Sequence, residues 1–198
     1  TPNLNKLQKK AINFSDIRQV YGSGWTIAGM VNTQCGIPLV TPSGGNSMGS
    51  IDLFLPEAIC IGDILNQYCY DLNYIGGADL NFAGKGNFYK THGFNKISGL
   101  QELRDKQIDH SYLSGWGIYD DTLYDFVKDS YDQLSEKNRP FALFSLNLDT
   151  HHPTGHESRY CNNKRYKNGD NPILNAIHCT DKIIAEVIDH IESSSSYD

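Results

Sequence analysis

Pro140-Phe141-Ala142-Leu143-Phe144-Ser145-Leu146-Asn147-Leu148, followed at once by Asp149-Thr150-His151-His152-Pro153, decides how this chain reads. The first run is apolar nearly throughout, as a parallel-sheet strand covered on both faces must be. Before it, Asp120 to Lys137 sets Leu123, Phe126, Val127, Ser130, Tyr131 and Leu134 on one helical face. After it, Ile173 to Ile191 reads as a second long helix, and the run Ser193 to Ser196 as a loop or frayed end.

Upstream, Asp71 to Ile75 reads as a short strand ended by Gly76-Gly77. Cys60 to Cys69 has helical spacing through Ile61, Ile64, Leu65 and Tyr68. A helix is expected from Thr26 to Thr33, after the turn Gly22-Ser23-Gly24, and a helical turn over Gly86 to Thr91. Asn3 to Lys10 reads as a helix capped by Thr1 or Asn3, Ala11 to Asp16 as an alternating strand, and Thr41 to Ser50 as a loop. Strands that alternate with helices predict an α/β fold with a mainly parallel sheet. No internal repeat or domain boundary is visible, so residues 1-198 are expected to form one domain.

Composition narrows the function. Of the 198 residues 39% are hydrophobic and 20% charged, which excludes a disordered chain. The net charge is -6 with both signs interleaved, and no basic stripe offers itself to nucleic acid. No apolar run approaches the roughly 20 residues that span a bilayer. Thr1-Pro2-Asn3-Leu4 is neither an initiator sequence nor a signal peptide, and it opens in a helix cap, so the chain is expected to be a piece of a longer protein.

None of the five cysteines (Cys35, Cys60, Cys69, Cys161, Cys179) lies in a CxxC pair, which argues against structural zinc. Cys161 and Cys179 flank a polar loop, Asn162 to Asn171, that a disulfide would stabilise by about 3 kcal/mol. Reduced, buried thiols are the equal alternative, and the odd count leaves at least one thiol unpaired.

Four clusters carry chemistry. Thr26 opens a helix after a glycine turn, in the field of free backbone N–H groups that suit a phosphate. It could act as a nucleophile or simply cap the helix. His151 and His152 follow the best strand, where open α/β sheets bind ligands. At most one of them is expected to face a site, and a surface turn is the alternative. Lys85, in Phe82-Ala83-Gly84-Lys85-Gly86, could reach a phosphate as a point charge or be merely solvated, and the loop is not a P-loop. Trp116, in Gly115-Trp116-Gly117-Ile118-Tyr119-Asp120-Asp121, is either a site wall or core, and Asp120 or Asp121 serves the N-terminus of the following helix.

Taken together, these segments resemble the phosphoglycerol transferases of the alkaline phosphatase and sulfatase superfamily, relatives of the lipoteichoic acid synthases. The resemblance rests on Gly24-Trp25-Thr26-Ile27-Ala28-Gly29-Met30-Val31, Gln34-Cys35-Gly36-Ile37-Pro38-Leu39, Ile59-Cys60-Ile61-Gly62-Asp63-Ile64-Leu65, Phe82-Ala83-Gly84-Lys85, Trp116-Gly117-Ile118-Tyr119-Asp120-Asp121 and Asp149-Thr150-His151-His152-Pro153. It implies a three-layer sandwich, incomplete here at both ends. The implied enzyme sits in the Gram-negative inner membrane, with its catalytic domain in the periplasm and its membrane helices outside this chain. It would move phosphoglycerol from phosphatidylglycerol to periplasmic glucans, the membrane-derived oligosaccharides.

By the resemblance Thr26 is nucleophile and metal ligand, His151 meets the phosphoryl group, and Lys85, Trp116 and His152 line the substrate site. The metal is Mn²⁺ or Mg²⁺, with Zn²⁺ the rival. Periplasmic placement favours a Cys161–Cys179 disulfide, with Cys35–Cys60 second. Lipoteichoic acid synthases place His, Trp and Arg where this chain has Gly76 or Gly77, Ala83 and Lys85, which favours glucan modification over polyglycerol phosphate synthesis. The family's other metal ligands are expected before Thr1 and after Asp198, so the chain alone is expected to be inactive. A related hydrolase, a phosphoethanolamine transferase and a non-catalytic glycan-binding module are the alternatives.

Overall fold

The computed structural model describes residues 1–41, 48–107, 109–162 and 165–197. In chain order the elements are α1 (Pro2–Gln8), α2 (Thr26–Cys35), α3 (Ile61–Gln67), β1 (Asp71–Gly76), α4 (Lys85–Thr91), β2 (Lys96–Ser98), α5 (Leu100–Arg104), α6 (Asp120–Ser135), β3 (Phe141–Leu146) and α7 (Pro172–Glu192). Short 3₁₀ turns occupy Phe82–Gly84 and Arg159–Cys161. The loop expected over Thr41 to Ser50 lies mostly outside the described residues.

The sheet has three strands in the order β2-β1-β3, all parallel. β1 pairs with β3 along its whole length, from Asp71↔Phe141 to Gly76↔Leu146. Side chains of β1 alternate between two helical layers, as period-two geometry requires. Leu72 and Tyr74 pack with Ile27, Met30 and Val31 of α2 and with Phe88 and Tyr89 of α4. Ile75 faces the other way, onto Leu103 of α5, Leu123 and Val127 of α6 and Val187 of α7. Asn73 points to the same side, and its Nδ2 donates to Ser130 Oγ at 3.3 Å. Helices on both faces of one parallel sheet make the three-layer α/β architecture.

Three sequence readings need correction. Ala11 to Asp16 is not a strand: Ile12 is 90% and Phe14 72% exposed, and among the described residues no strand pairs with them. The run Pro140 to Leu148 forms a shorter strand, and it is half-buried rather than covered on both faces. Among the described residues β3 is an edge, with β1 its one neighbour. The helical turn expected from Gly86 begins at Lys85. β2 escaped notice because three residues carry no periodicity.

α1 is fastened from outside. Thr1 occupies its N-cap without a side-chain bond. Instead Asp181, buried on α7, accepts from the backbone amides of Asn3 and Leu4 at 3.0 and 2.9 Å and from Asn3 Nδ2 at 3.0 Å. Hydrogen bonds to a charged acceptor are the stronger kind. Asp181→Ala is expected to weaken the docking of α1 by about 2 kcal/mol. Amide hydrogen exchange should accelerate in α1 while β1 amides keep their protection.

Candidate active site

Because β1 and β3 are parallel, their carboxyl ends open on one edge of the sheet, where ligands of open α/β folds bind. Two glycines bring a third segment there. Ile118 N–H donates to Gly77 O at 3.0 Å. A Cβ on Gly117, whose φ is +146°, would lie 2.1 Å from Gly77 O. Glycine is therefore required for the loop of Trp116 to reach the end of β1.

Trp116 is 43% exposed, so it is not core. Its ring stacks on His151 at 4.5 Å between centroids and meets Phe82 edge-on at 5.9 Å. His152 is exposed and stacks on His151 at 5.2 Å. His151 Nδ1 donates to the carbonyl of His152 at 2.7 Å. A carbonyl only accepts, so this bond fixes the Nδ1 proton and leaves Nε2 as the unprotonated nitrogen of a neutral ring.

Lys85 is the first residue of α4, after Ala83 and Gly84 turn the chain with φ of 59° and 73°. It is 2% exposed, and its ammonium lies 5.5 Å from the Phe82 ring centroid. Burial lowers its pKa to about 8, opposed by the nearby charge of Asp79. Phe82 thus joins Lys85 to the chain of rings through Trp116, His151 and His152.

Thr26 is the first residue of α2, and Trp25, not Thr26, holds the N-cap. The first helical bond runs from Gly29 N–H to Trp25 O at 2.9 Å. The amides of Thr26, Ile27 and Ala28 therefore have no acceptor within the helix, and Thr26 is half-buried beside them. α2 packs on the Phe82–Gly84 turn through the core that Ile27 shares with Ala83. Among the described residues no hydrogen bond or ring contact joins Thr26 directly to Lys85, Trp116 or His151. The fold brings Trp116, His151 and His152 into ring contact, sets Lys85 against Phe82 of the same cluster, and packs the helix that Thr26 opens against the Phe82–Gly84 turn.

Beneath His151 lie two carboxyl groups whose roles were not legible in the sequence. Of the two acids expected to serve the start of α6, Asp120 or Asp121, Asp120 turns inward. Its carboxylate accepts from the Leu148 amide at 2.6 Å, from Thr180 Oγ1 at 3.0 Å and from Asn147 Nδ2 at 3.4 Å. Asp121 takes the local role, accepting from the Thr122 amide at 2.7 Å. Asp149 is 1% exposed, and neither of its oxygens closes a hydrogen bond, although the Asp120 amide lies toward them. Burial first, and the charge of Asp120 second, raise its pKa from 3.8 to about 9. His156 joins the cluster half-buried, its pKa lowered by burial and then by His151. The position of Asp149, directly after the apolar strand, was the one available signal.

Thr26 offers a single neutral hydroxyl, whereas Mg²⁺ and Mn²⁺ take several oxygen ligands. Among the described residues the one trio of His, Cys, Asp or Glu close enough to share an ion is Cys35, Cys60 and His92. Two of those sulfurs are bonded to each other. The described residues therefore do not make a hard-metal site by themselves.

Fold and site together define a sulfatase-type α/β domain. The sulfatase family model matches residues 1–198, and the chain belongs to that family. It is 45% identical over 196 residues to phosphoglycerol transferase I of Xanthomonas campestris pv. campestris (strain B100), covering 98% of this chain and 28% of that protein. It is 44% identical over 196 residues to phosphoglycerol transferase I of Citrobacter koseri, covering 98% and 26%. The chain thus spans less than a third of the length of these relatives.

The lipoteichoic acid synthase LtaP of Listeria monocytogenes shares the fold with a TM-score of 0.81 at 17% identity, over 100% of this chain and 47% of that one. A protein in the alkaline phosphatase superfamily from Vibrio parahaemolyticus matches with a TM-score of 0.65 at 21% identity, over 86% and 40%.

Asp149 yields a pH prediction. Its folded pKa of about 9 lies above the ordinary 3.8, so the folded state holds the extra proton between those values. The stability tied to that proton is complete below the ordinary value and is lost as pH rises through about 9. Asn mimics the protonated acid without titrating. Asp149→Asn should therefore gain stability relative to the parent as pH increases from 5 to about 9. Urea midpoints measured across that range check it, and parallel curves would remove Asp149 as a buried acid.

Proposed function

We propose that this chain is the nucleophile-bearing part of an enzyme that transfers phosphoglycerol from phosphatidylglycerol to a periplasmic glucan, with Thr26 as the nucleophile. The observation that carries the reading is the placement of Thr26. Its hydroxyl stands at the opening of α2 with no side-chain bond among the described residues, beside three amides that have no acceptor within the helix. The identity to proteins named phosphoglycerol transferase I supports the choice of transferred group. No helix among the described residues is long and apolar enough to cross a membrane. Attachment to the inner membrane, with this domain in the periplasm, is assigned to other parts of the protein.

In this reading Thr26 Oγ attacks phosphorus, the phosphorus–oxygen bond to diacylglycerol breaks, and a phosphoglyceryl-threonine forms. A glucan hydroxyl then attacks the same phosphorus and restores Thr26. His151 Nε2, left open by the bond at Nδ1, is either a ligand to the phosphoryl group or the group that passes the moving proton. Lys85 offers positive charge to the phosphodiester, Trp116 and Phe82 form an apolar wall, and His152 lines the entrance. The divalent ion implied by the family, Mn²⁺ or Mg²⁺ with Zn²⁺ as the rival, needs ligands that the described residues do not supply.

Thr26→Ala in the full-length enzyme is expected to lower transfer at least about a thousandfold, while Thr26→Ser keeps part of it. Transfer of labelled phosphoglycerol onto glucan measures both, and full activity of Thr26→Ala would remove Thr26 from the mechanism. The isolated chain should transfer nothing, and metal-dependent turnover by it would refute the inference that ligands are missing.

Lys85 gives a second test. Below about 8 its ammonium is charged and attracts the phosphodiester. That attraction is lost as pH rises through this value, so the KM for phosphatidylglycerol should climb in the alkaline range. Lys85→Arg should carry the low KM to higher pH, because a guanidinium stays charged. An unchanged KM profile would place Lys85 outside the lipid site.

A further inference from the structure

The structure joins Cys35 to Cys60 and Cys161 to Cys179, and leaves Cys69 free and exposed. The two bonds have different surroundings. Cys161 and Cys179 are 2% and 1% exposed, and the polar group beside them is the neutral hydroxyl of Ser158, 3.1 and 3.9 Å from their sulfurs. Cys35 is half-buried at the end of α2, whereas Cys60 is 1% exposed.

Next to Cys60 stands His92, 1% exposed, with Nε2 3.6 Å from Cys60 Sγ and 3.0 Å from Phe54 O. Its Nδ1 lies 2.8 Å from Asp63 Oδ2, and the same oxygen accepts from the Cys60 amide at 2.8 Å. Both ring nitrogens face acceptors, and Nε2 is the ring atom beside the Cys60 sulfur. Asp63 fixes the imidazole against the cysteine from two directions.

Thiol–disulfide exchange is fastest when the sulfur that departs is stabilised as a thiolate and the sulfur attacked is accessible. Cys60 meets the first condition and Cys35 the second. We propose that Cys35–Cys60 is a thiol–disulfide exchange site that a dithiol opens by attack at Cys35, with Cys60 leaving as a thiolate beside His92. The first thiolate of the dithiol bonds to Cys35 Sγ, the bond between the two Sγ atoms breaks, and its electron pair goes to Cys60. The second thiol, deprotonated, displaces Cys35 from the mixed disulfide. The dithiol is oxidised by two electrons to its own disulfide, and its two protons end on Cys35 and Cys60. The bond ties the last residue of α2 to the start of α3, so opening it frees the far end of the helix that begins at Thr26.

The test uses the full-length protein, folded and kept in EDTA so that the released thiolates and His92 take no metal. Dithiothreitol is added, the reaction is quenched with acid at intervals, and each disulfide is followed by peptide mass mapping. Cys35–Cys60 should open at least about tenfold faster than Cys161–Cys179. A monothiol, glutathione, should leave its adduct on Cys35 and not on Cys60. His92→Gln, which replaces the imidazole beside Cys60 with an amide, should slow opening of Cys35–Cys60 by about tenfold and leave Cys161–Cys179 unchanged. Equal rates for the two bonds, or glutathione on Cys60, would overturn the proposal without any variant. A folded His92→Gln protein that opens at the parental rate would do the same.

Discussion

The carboxylate of Asp120 is the constraint on which the site depends. It begins α6, accepts from the Leu148 amide just past β3, and accepts from Thr180 in the middle of α7. One buried group therefore fixes the end of the strand, the start of one helix and the side of another. Burial raises its pKa, while its four donors, the amides of Leu148 and Asp149 with Asn147 and Thr180, oppose that shift. An ion removed from water survives only with such partners. Asp120 takes these donors, while the carboxyl oxygens of Asp149, two residues before His151, close no hydrogen bond among the described residues, and burial raises their pKa.

Much of the fold was legible because the deciding elements carry strong periodicity. α6 and α7 are long and amphipathic, and β1 ends at the glycines that the sequence marks as its boundary. The edge position of β3 was hidden, because an apolar run reports burial potential and not the number of neighbouring strands. Ala11 to Asp16 misled for the same reason: alternation describes one face of a strand, but a strand also needs a partner for its backbone.

The candidate site divides along a similar line. Thr26, Lys85, Trp116 and His151 were singled out because glycine turns and strand ends mark them, and the fold links the last three through the ring of Phe82. The choice between wall and core for Trp116 depended on a stacking partner distant in sequence. Asp149, Asp120 and His156 were missed as a group, since their relation is purely tertiary. The same holds for His92 and Asp63, which meet Cys60 through a turn, a helix start and the end of α4.

Charge ties these parts to the proposed chemistry. In the proposed reaction a phosphodiester would meet the first amides of α2 and the ammonium of Lys85. An ionised Asp149 beneath His151 would oppose it, and so would an exposed Asp120. Burial solves both problems through one arrangement: it spends the charge of Asp120 on internal donors and keeps Asp149 neutral through the physiological range. Two buried acidic residues can therefore lie near the proposed phosphodiester site without repelling its ligand. In that arrangement Asp120 sets the backbone and Asp149 supplies volume, while the work of attraction falls to the helix start and to Lys85.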